Sequence, residues 1–378
     1  MTDKFIKDNN RLIDRILDTK GDFLFFSFTN DDGKRWVMPQ RNMVTAMNLY
    51  QPSSWRGKLV KQLLPLLNQV GFVRRKLGMQ HHHYELCDLL KQVLSRLLKS
   101  ENLEFSLFGG TPSVHQKITI QINVGHKILG YCKVSDKENI KAIFKHEQKV
   151  LDTLKKKGVK QIPECLYCGT LKEDIDLFVQ TTQKTNSSKI PIKWHNLHWS
   201  FLTHLHTKTR QSLPFEKTDF NQSLQLLDQN KYLFSERENE IITNALSCII
   251  KKHRDKQVCF SAYHSDFTPW NMIVENGELF VFDFEYAKMT YPPFLDRFHF
   301  FTQVSIYDKH WSANQIFAEY KLKLRGDIAY IKDPDMAYLC YLVDIVSFYI
   351  DRDKGDYNDD VETSLSKWIS LISLLSKD

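Results

Sequence analysis

The sequence predicts an α+β protein with two lobes, a small antiparallel sheet followed by a larger and mainly helical region, with an additional region before the sheet. Three observations carry this prediction. Between residues 118 and 134, two adjacent stretches suit half-buried strands, the first alternating apolar and polar residues with a period of two. Residues 136–157 then repeat apolar positions every three or four residues, as one long helix does. From about Trp194 onward helical patterns dominate, and strands followed by helices are typical of the α+β class.

Residues 1–103 form the additional region, whose role the sequence leaves open. We predict helices near residues 4–18, 57–69 and 84–99 and a short strand at Phe23–Phe28.

The charge of this region is uneven. Nine Lys or Arg residues and no Asp or Glu lie between Gly33 and Tyr84, although the net charge of the whole chain is only +7. One interpretation is a solvated basic face. The other is attraction to an anionic partner, such as a membrane surface or a charged glycan. The segment resembles no nucleic-acid-binding motif, so nucleic acid ranks last.

Residues 104–182 form the predicted sheet lobe. In the stretch Ile118–Ile122, three Ile residues alternate with Thr119 and Gln121, and the stretch 127–134 follows after a turn at Gly125. A helix over 136–157 comes next, and the apolar stretch Asp176–Gln180 supplies the last strand of this lobe.

The helix predicted over 136–157 has a charged residue in its apolar stripe, which indicates a functional role for that residue. Glu147 lies in its apolar stripe, between Phe144 and Leu151, where a Leu is expected. Because a buried carboxylate is stable only with a partner, Glu147 needs a nearby cation. Lys133, on the preceding strand, is the nearest lysine, and we predict an ion pair between the two side chains.

Residues 183–378 form the predicted helical lobe, which a hairpin interrupts. Met272–Val274 and Leu279–Phe284 are apolar stretches joined through Asn276-Gly277, a strong hairpin signal. Asn271 then lies at the base of the first strand and Asp283 at the end of the second. An amide oxygen and a carboxylate at neighbouring strand ends suit Mg²⁺, which takes one or two protein carboxylates and leaves its other positions to water and phosphate.

The polar residues around this hairpin resemble a known catalytic centre. His264, Asp266 and Asn271 have the spacing His-x-Asp-x-x-x-x-Asn, and Asp283-Phe284-Glu285 follows the hairpin. This pattern resembles the aminoglycoside phosphotransferase and choline kinase-like family, whose members are relatives of the protein kinases. The continuation Tyr286-Ala287 is similar to the choline and ethanolamine kinase branch. The resemblance implies a bilobal, protein-kinase-like fold.

The resemblance also implies a role for each matching residue. Asp266 would be the catalytic base, Asn271 and Asp283 would hold Mg²⁺, and Lys133 paired with Glu147 would contact the phosphates of ATP. The supporting residues of the catalytic loop would be His264 and Asp296. The remaining nucleotide-binding residues would be Gly109, Gly110, Thr111 and Ser113 in a turn over the phosphates, and Val179, Gln180 and Thr181 beside the adenine.

The function predicted on this basis is an ATP- and Mg²⁺-dependent small-molecule kinase. Its acceptor would be a hydroxyl of a sugar, an amino alcohol or an aminoglycoside-like compound. The alternative is a catalytically silent nucleotide-binding module that its basic N-terminal region recruits to an anionic partner. The identity of the acceptor, the choice between ATP and GTP, and the oligomeric state stay open at this point.

The cysteines and the apolar segments of the sequence indicate in which cellular compartment the protein works. The chain has seven scattered cysteines, and its single C-x-x-C, Cys165 to Cys168, lacks the second pair of a zinc ribbon. The N-terminus is charged, without the apolar core of a signal peptide, and no apolar run is long enough to span a bilayer. We therefore expect a cytoplasmic protein without a transmembrane segment.

Overall fold

The computed structural model describes residues 2–52, 55–67, 70, 72, 75, 78–254, 256–328 and 331–376. Of the basic segment 33–84, Arg74 and Lys76 and the side chains of Trp55 and Arg56 lie outside the described residues. The chain divides into two compact units. The sheet unit comprises Met1–Lys156, Lys160–Pro191 and Met272–Glu285, and the helical unit comprises Lys157–Val159, Ile192–Asn271 and Tyr286–Asp378.

In the described part of the sheet unit, eight strands form one antiparallel sheet in the order β3-β1-β2-β4-β5-β6-β8-β7. The strands are β1 (Leu17–Thr29), β2 (Arg35–Pro39), β3 (Gln80–Leu86), β4 (Glu104–Phe108), β5 (Ile118–Val124), β6 (Lys127–Ser135), β7 (Cys165–Lys172) and β8 (Ile175–Thr181). The helices are α1 (Thr2–Ile16), α2 (Met43–Ala46), α3 (Trp55–Leu67), α4 (Asp88–Leu98) and α5 (Glu138–Lys156).

The sheet continues through residues 1–103. Strands β1, β2 and β3 precede residue 104, and β2 pairs with β4 through Trp36 and Val37. The change of sequence pattern near residue 103 therefore falls inside one sheet.

The helix predicted over 84–99 is shorter than expected. It begins at Asp88, because residues 80–86 pair with β1 as strand β3. Three consecutive histidines occupy this strand, and their polar character concealed it in the sequence.

The two faces of the sheet have different covers. Leu12 and Ile13 of α1 and Leu90 of α4 pack on the face that carries Ile120 and Val134. Because side chains alternate along a strand, Lys133 points to the opposite face.

The opposite face meets α5 and α3. Phe144 of α5 lies with its ring centroid 5.9 Å from that of Phe178 on β8. Val60 and Leu64 of α3 join the apolar cluster around Trp36 on β2.

The predicted hairpin is present in the sheet unit as β11 (Met272–Glu275) and β12 (Glu278–Val281). Asn276 and Gly277 both have positive φ, 51° and 79°, as a two-residue turn of type I′ requires. The register pairs Met272 with Val281, so the segments that precede β11 and follow β12 leave the hairpin at the same end.

The helical unit has its own apolar core, in which Tyr338, Tyr341 and Trp368 are fully buried. Its helices are α6 (Asn196–Thr209), α7 (Asp219–Gln229), α8 (Glu236–His253), α9 (Leu295–Tyr307), α10 (Ala313–Glu319), α11 (Arg325–Asp327), α12 (Pro334–Asp353) and α13 (Asp359–Leu375). A small sheet of β9 (Gln211–Pro214), β10 (Gln257–Tyr263) and β13 (Lys288–Tyr291) accompanies them. Among the described residues, none of the helices combines the length and the apolar character that crossing a bilayer demands.

Candidate active site

The ion pair predicted between Lys133 and Glu147 is present. Lys133 lies on β6 and its Nζ is 2.6 Å from Oε2 of Glu147, a residue of α5 with no exposed surface. The second oxygen of Glu147 accepts a hydrogen bond of 3.1 Å from the backbone N–H of Phe284. Both carboxylate oxygens of Glu147 therefore have a hydrogen-bond donor. Because both are paired, the carboxylate is stable in the apolar stripe of the helix.

Lys133 also binds the segment after the hairpin. Its Nζ is 2.6 Å from Oδ1 of Asp283 and 3.5 Å from Oε2 of Glu285. Asp283 has a φ of 69°, in the left-handed region that a non-glycine residue seldom adopts. This backbone bend lets two carboxylates that are two residues apart approach the same ammonium group.

The charges of this cluster shift each other's pKa. Burial disfavours the charged ammonium of Lys133, but the carboxylates of Asp283 and Glu147 outweigh that effect and raise its pKa well above the ordinary value. Burial raises the pKa of Glu147, and the charge of Lys133 opposes the rise. Lys133 is thus a fixed positive charge among acids.

A second lysine completes the cluster. Lys117, just before β5, forms an ion pair with Glu285, whose side chain is 10% exposed. The sequence did not predict this contact. The signal that could have found it is the one that worked for Glu147: a carboxylate among apolar residues needs a cation, and Phe284 precedes Glu285 while Ala287 follows two positions later.

The cluster has the donor chemistry for a hard cation. Glu147, Asp283 and Glu285 offer carboxylate oxygens that all lie within 4.8 Å of one another. The side chain of Asp283 is 29% exposed, whereas that of Glu147 is fully buried. Carboxylate oxygens are the ligands that Mg²⁺ prefers, and Asp283 is the member of the cluster that solvent reaches most.

The turn predicted over the nucleotide phosphates connects β4 to β5. Gly110 has a φ of 77°, and a Cβ atom there would lie 2.4 Å from the carbonyl oxygen of Lys117. The carbonyl of Gly109 accepts a hydrogen bond of 2.9 Å from Nε2 of Gln116, and the carbonyl of Ser113 accepts one of 2.9 Å from Nζ of Lys137. The turn, which also includes the exposed Thr111, is therefore tied at both ends and requires glycine at its centre.

The three residues predicted beside the adenine lie on β8. Gln180 is paired with Tyr131, two residues from the pair of Phe178 with Lys133, so Gln180 shares the face of Lys133. Val179 points to the other face, where it is fully buried in the core with α1 and α4. Thr181 ends the strand, and its hydroxyl accepts a hydrogen bond of 2.9 Å from the N–H of Glu164.

The proposed catalytic loop belongs to the helical unit. Nδ2 of Asn271 donates to Oδ2 of Asp266 at 2.7 Å and to the backbone carbonyl of Asp266 at 3.1 Å. The side-chain nitrogen of Asn271 is thereby engaged, which leaves its oxygen as the atom with the chemistry to bind a metal. Asp266 has 39% of its side chain exposed.

A buried carboxylate braces this loop. Oδ2 and Oδ1 of Asp296 accept hydrogen bonds of 3.0 and 3.2 Å from the backbone N–H groups of His264 and Ser265. Burial raises the pKa of Asp296 to about 7, and those two N–H groups oppose the rise. Nδ1 of His264 accepts a hydrogen bond of 3.2 Å from the N–H of Asp266. Ser265 has a φ of 71°, in the left-handed region that favours glycine.

The sequence also missed a partner of Asp266. Nε2 of His299 lies 3.4 Å from Oδ1 of Asp266. His299 follows Asp296 by three residues on α9, so both side chains lie on one side of the helix. That spacing is the signal that could have indicated His299.

The structure thus brings the predicted residues together as two sets. Lys133, Glu147 and Asp283 form one set in the sheet unit, and Asp266 with Asn271 forms the other in the helical unit. A single cation bound by Asn271 and Asp283 stays a prediction.

No protein-family model matches this chain, and no curated protein matches its sequence. Solved structures are similar to it in fold. A thermostable mutant of the aminoglycoside phosphotransferase APH(4)-Ia, in ternary complex with ADP and hygromycin B, superposes with a TM-score of 0.51 at 14% identity, covering 75% of this chain and 98% of that one. Another thermostable mutant of that enzyme, in ternary complex with AMP-PNP and hygromycin B, gives a TM-score of 0.50 at 13% identity, with 76% and 98% covered.

At such identities the likeness is one of fold. It confirms the predicted class, an α+β protein with the fold of aminoglycoside phosphotransferases, built from an antiparallel-sheet unit and a mainly helical unit. The similarity to the choline kinase branch stays a prediction.

Proposed function

We propose that this protein is a small-molecule kinase that transfers the γ-phosphoryl group of ATP to a hydroxyl of a sugar, an amino alcohol or an aminoglycoside-like acceptor. The observation that carries the proposal is Lys133 held at 2.6 Å by both Glu147 and Asp283. A lysine paired with a helix glutamate, beside the acid that follows a hairpin, is the arrangement that kinases use to hold nucleotide phosphates. The fold of the APH(4)-Ia complexes supports the same proposal.

On the sheet unit, we assign the nucleotide to Lys133 and the turn at Gly110. Lys133 is a permanent cation and would bind phosphate oxygens as a point charge. The backbone N–H groups of the turn would bind phosphate oxygens, and glycine at position 110 allows the left-handed bend beside the carbonyl of Lys117. Gln180, on the face of Lys133, is the residue of β8 that we place beside the base.

We assign Mg²⁺ to Asp283 and Asn271, because both offer hard oxygen ligands. When bound, the metal neutralises charge on the transferring phosphate. Asp283 contacts Lys133 at 2.6 Å, and its side chain, 29% exposed, is the acid of this cluster that a metal ion in solvent can reach most easily.

Asp266 is the residue we assign to the acceptor. Asn271 and His299 contact one oxygen of its carboxylate each, so its orientation is fixed before substrate arrives. We propose that this carboxylate orients the acceptor hydroxyl and takes its proton while the hydroxyl oxygen attacks the γ-phosphorus and ADP departs. We further propose that the protein works in the cytoplasm, where ATP is available and its cysteines, all free thiols, stay reduced.

The replacement Asp266→Asn tests the proposal. It keeps the shape of the side chain and removes the proton acceptor, so we expect acceptor-stimulated ADP formation to fall roughly 100-fold or more, the contribution of a general base. Sugars, amino alcohols and aminoglycosides are screened with Mg-ATP, and ADP release is measured with and without each acceptor. Asp308→Asn, an exposed position at the end of α9, serves as the control and should leave the rate unchanged.

Thermal shift with Mg-ATP separates the outcomes. Stabilisation by Mg-ATP in both variants, with turnover lost in Asp266→Asn alone, is the expected result. Undiminished turnover in Asp266→Asn would remove Asp266 as the base. Stabilisation without turnover for any acceptor would instead favour the silent nucleotide-binding module.

A further inference from the structure

Helix α3 exposes three leucines on one side in the described structure. Leu59, Leu63 and Leu66 are 47%, 40% and 78% exposed. We call these three residues the leucine face. Large exposed apolar side chains that occur singly are ordinary, but a contiguous group marks an interaction site.

The three leucines share one side of the helix. At about 100° per residue, positions 59, 63 and 66 fall within an arc of about 60°. Val60 and Leu64, on the other side, pack into the apolar cluster of the sheet unit. Helix α3 is therefore apolar on two sides, and its own fold uses one of them.

Exposed apolar residues continue beyond the helix. Val70 and Phe72 are 45% and 71% exposed. Five large exposed apolar side chains of the described structure therefore fall between Leu59 and Phe72.

The sequence segment that contains the leucine face has charges of one sign. Lys58, next to Leu59 in sequence, and Arg75 are both exposed, and the segment from Gly33 to Tyr84 has no acidic residue. Exposed leucines on a helix flanked by cations are the composition of helices that lie in the plane of a bilayer surface, where leucines enter the acyl boundary and cations meet anionic headgroups.

We propose that the leucine face and its flanking cations dock this protein on the surface of an anionic lipid bilayer. The docking is peripheral, with α3 parallel to the membrane plane. It is independent of the kinase activity, since none of these residues belongs to the candidate active site.

The charge of the segment favours a bilayer over a second copy of the chain as the partner of the leucine face. A twofold contact through the leucine face would bring two acid-free segments together, each with nine cations and no acid. Like charges at such close range repel. An anionic surface supplies the opposite charge.

Vesicle co-sedimentation of the full-length protein tests the proposal. Vesicles of phosphatidylcholine alone are compared with vesicles of phosphatidylcholine plus phosphatidylserine. We expect binding to the anionic vesicles, weakened by added salt. The variant Leu59→Ser/Leu63→Ser/Leu66→Ser should lower the bound-to-free ratio about tenfold or more, since three insertion contacts are lost. Lys58→Gln/Arg75→Gln should weaken binding while the leucines remain.

The matched control is Leu322→Ser. Leu322 is 77% exposed on the helical unit, as Leu66 is 78% exposed on the leucine face, so loss of one exposed leucine there should leave vesicle binding unchanged. Circular dichroism and Mg-ATP thermal shift verify that each variant is folded.

Three results would overturn the proposal: no binding to anionic vesicles, equal binding to both kinds of vesicle, or a leucine-dependent dimer in light scattering without vesicle binding. The last result would identify a second copy as the occupant of the face. None of these outcomes bears on the kinase proposal, which the Asp266→Asn measurement tests separately.

Discussion

The buried carboxylates Glu147 and Glu285 of the sheet unit are stable because each has a partner. Glu147 binds Lys133 and the N–H of Phe284, and Glu285 binds Lys117. An unpaired carboxylate in such surroundings loses its hydration without compensation. Lys133 is the shared partner, since it contacts three carboxylates.

A double-mutant cycle at Lys133 and Glu147 should show strong coupling. Lys133→Met leaves three close carboxylates without their common cation, so we expect the free energy of unfolding to fall by about 3–5 kcal/mol. Adding Glu147→Gln removes one of the repelling charges, and the double variant should be more stable than the sum of the single effects predicts. Urea unfolding measures each variant.

An exposed ion pair between the end of α5 and the residue before β7 provides the control. Lys155 and Glu164 are 3.0 Å apart with more than half of each side chain exposed, and Lys155→Met/Glu164→Gln should have little effect because water screens such pairs. Additive effects at Lys133 and Glu147 would mean that their contact does not contribute to stability.

At the scale of elements, the turns that join strands determine where polar groups lie. The β11–β12 hairpin follows a local rule, because Asn-Gly turns match the twist of two strands. The turn between β4 and β5 depends on a contact within the whole connection, since Gly110 is needed where the backbone of Lys117, seven residues later, passes close by.

Two glycines of the sheet unit allow the effect of a left-handed backbone to be distinguished from the effect of a close neighbouring atom. Gly110 and Gly277 have similar φ, 77° and 79°, but an added Cβ at Gly110 would lie 2.4 Å from a backbone oxygen whereas one at Gly277 would meet nothing within 4 Å. Both alanine variants bear the left-handed strain of about 1–2 kcal/mol.

Gly110→Ala should therefore be clearly less stable than Gly277→Ala in thermal unfolding, and it should also raise the KM for ATP if the turn holds phosphate. Equal stability of the two variants would show that the turn relaxes freely and does not depend on the close approach.

At the scale of the whole molecule, residues 1–103 are part of the eight-stranded sheet. They supply β1, β2 and β3, together with the apolar residues of α1 and α4 that cover one face. Without them, β4 becomes an open edge and the core formed by Ile118, Ile120 and Ile122 loses its cover.

Deletion of residues 1–103 should accordingly give an aggregating protein. An unpaired, apolar edge strand templates association with other chains, and the exposed core adds to it. Size-exclusion chromatography and circular dichroism of the truncated chain test this expectation. A monomeric, folded and Mg-ATP-binding truncation would show that residues 104–378 form an independent domain.

Much of the fold was predictable because its signals are local. Alternation in β5, the stripe of α5 and the Asn276-Gly277 turn are periodic or short-range features, and the misplaced charge of Glu147 was enough to identify Lys133 as its partner. The catalytic motif likewise lies in one short stretch, and its assigned roles stay predictions. The β3 strand, the contacts of Lys117 with Glu285 and of His299 with Asp266, and the inward side chain of Val179 depended on the folded chain. The strand and the two contacts join residues that are distant in sequence, and the direction of the Val179 side chain depends on which face of the sheet is covered. No local period in the sequence encodes which distant segments pair.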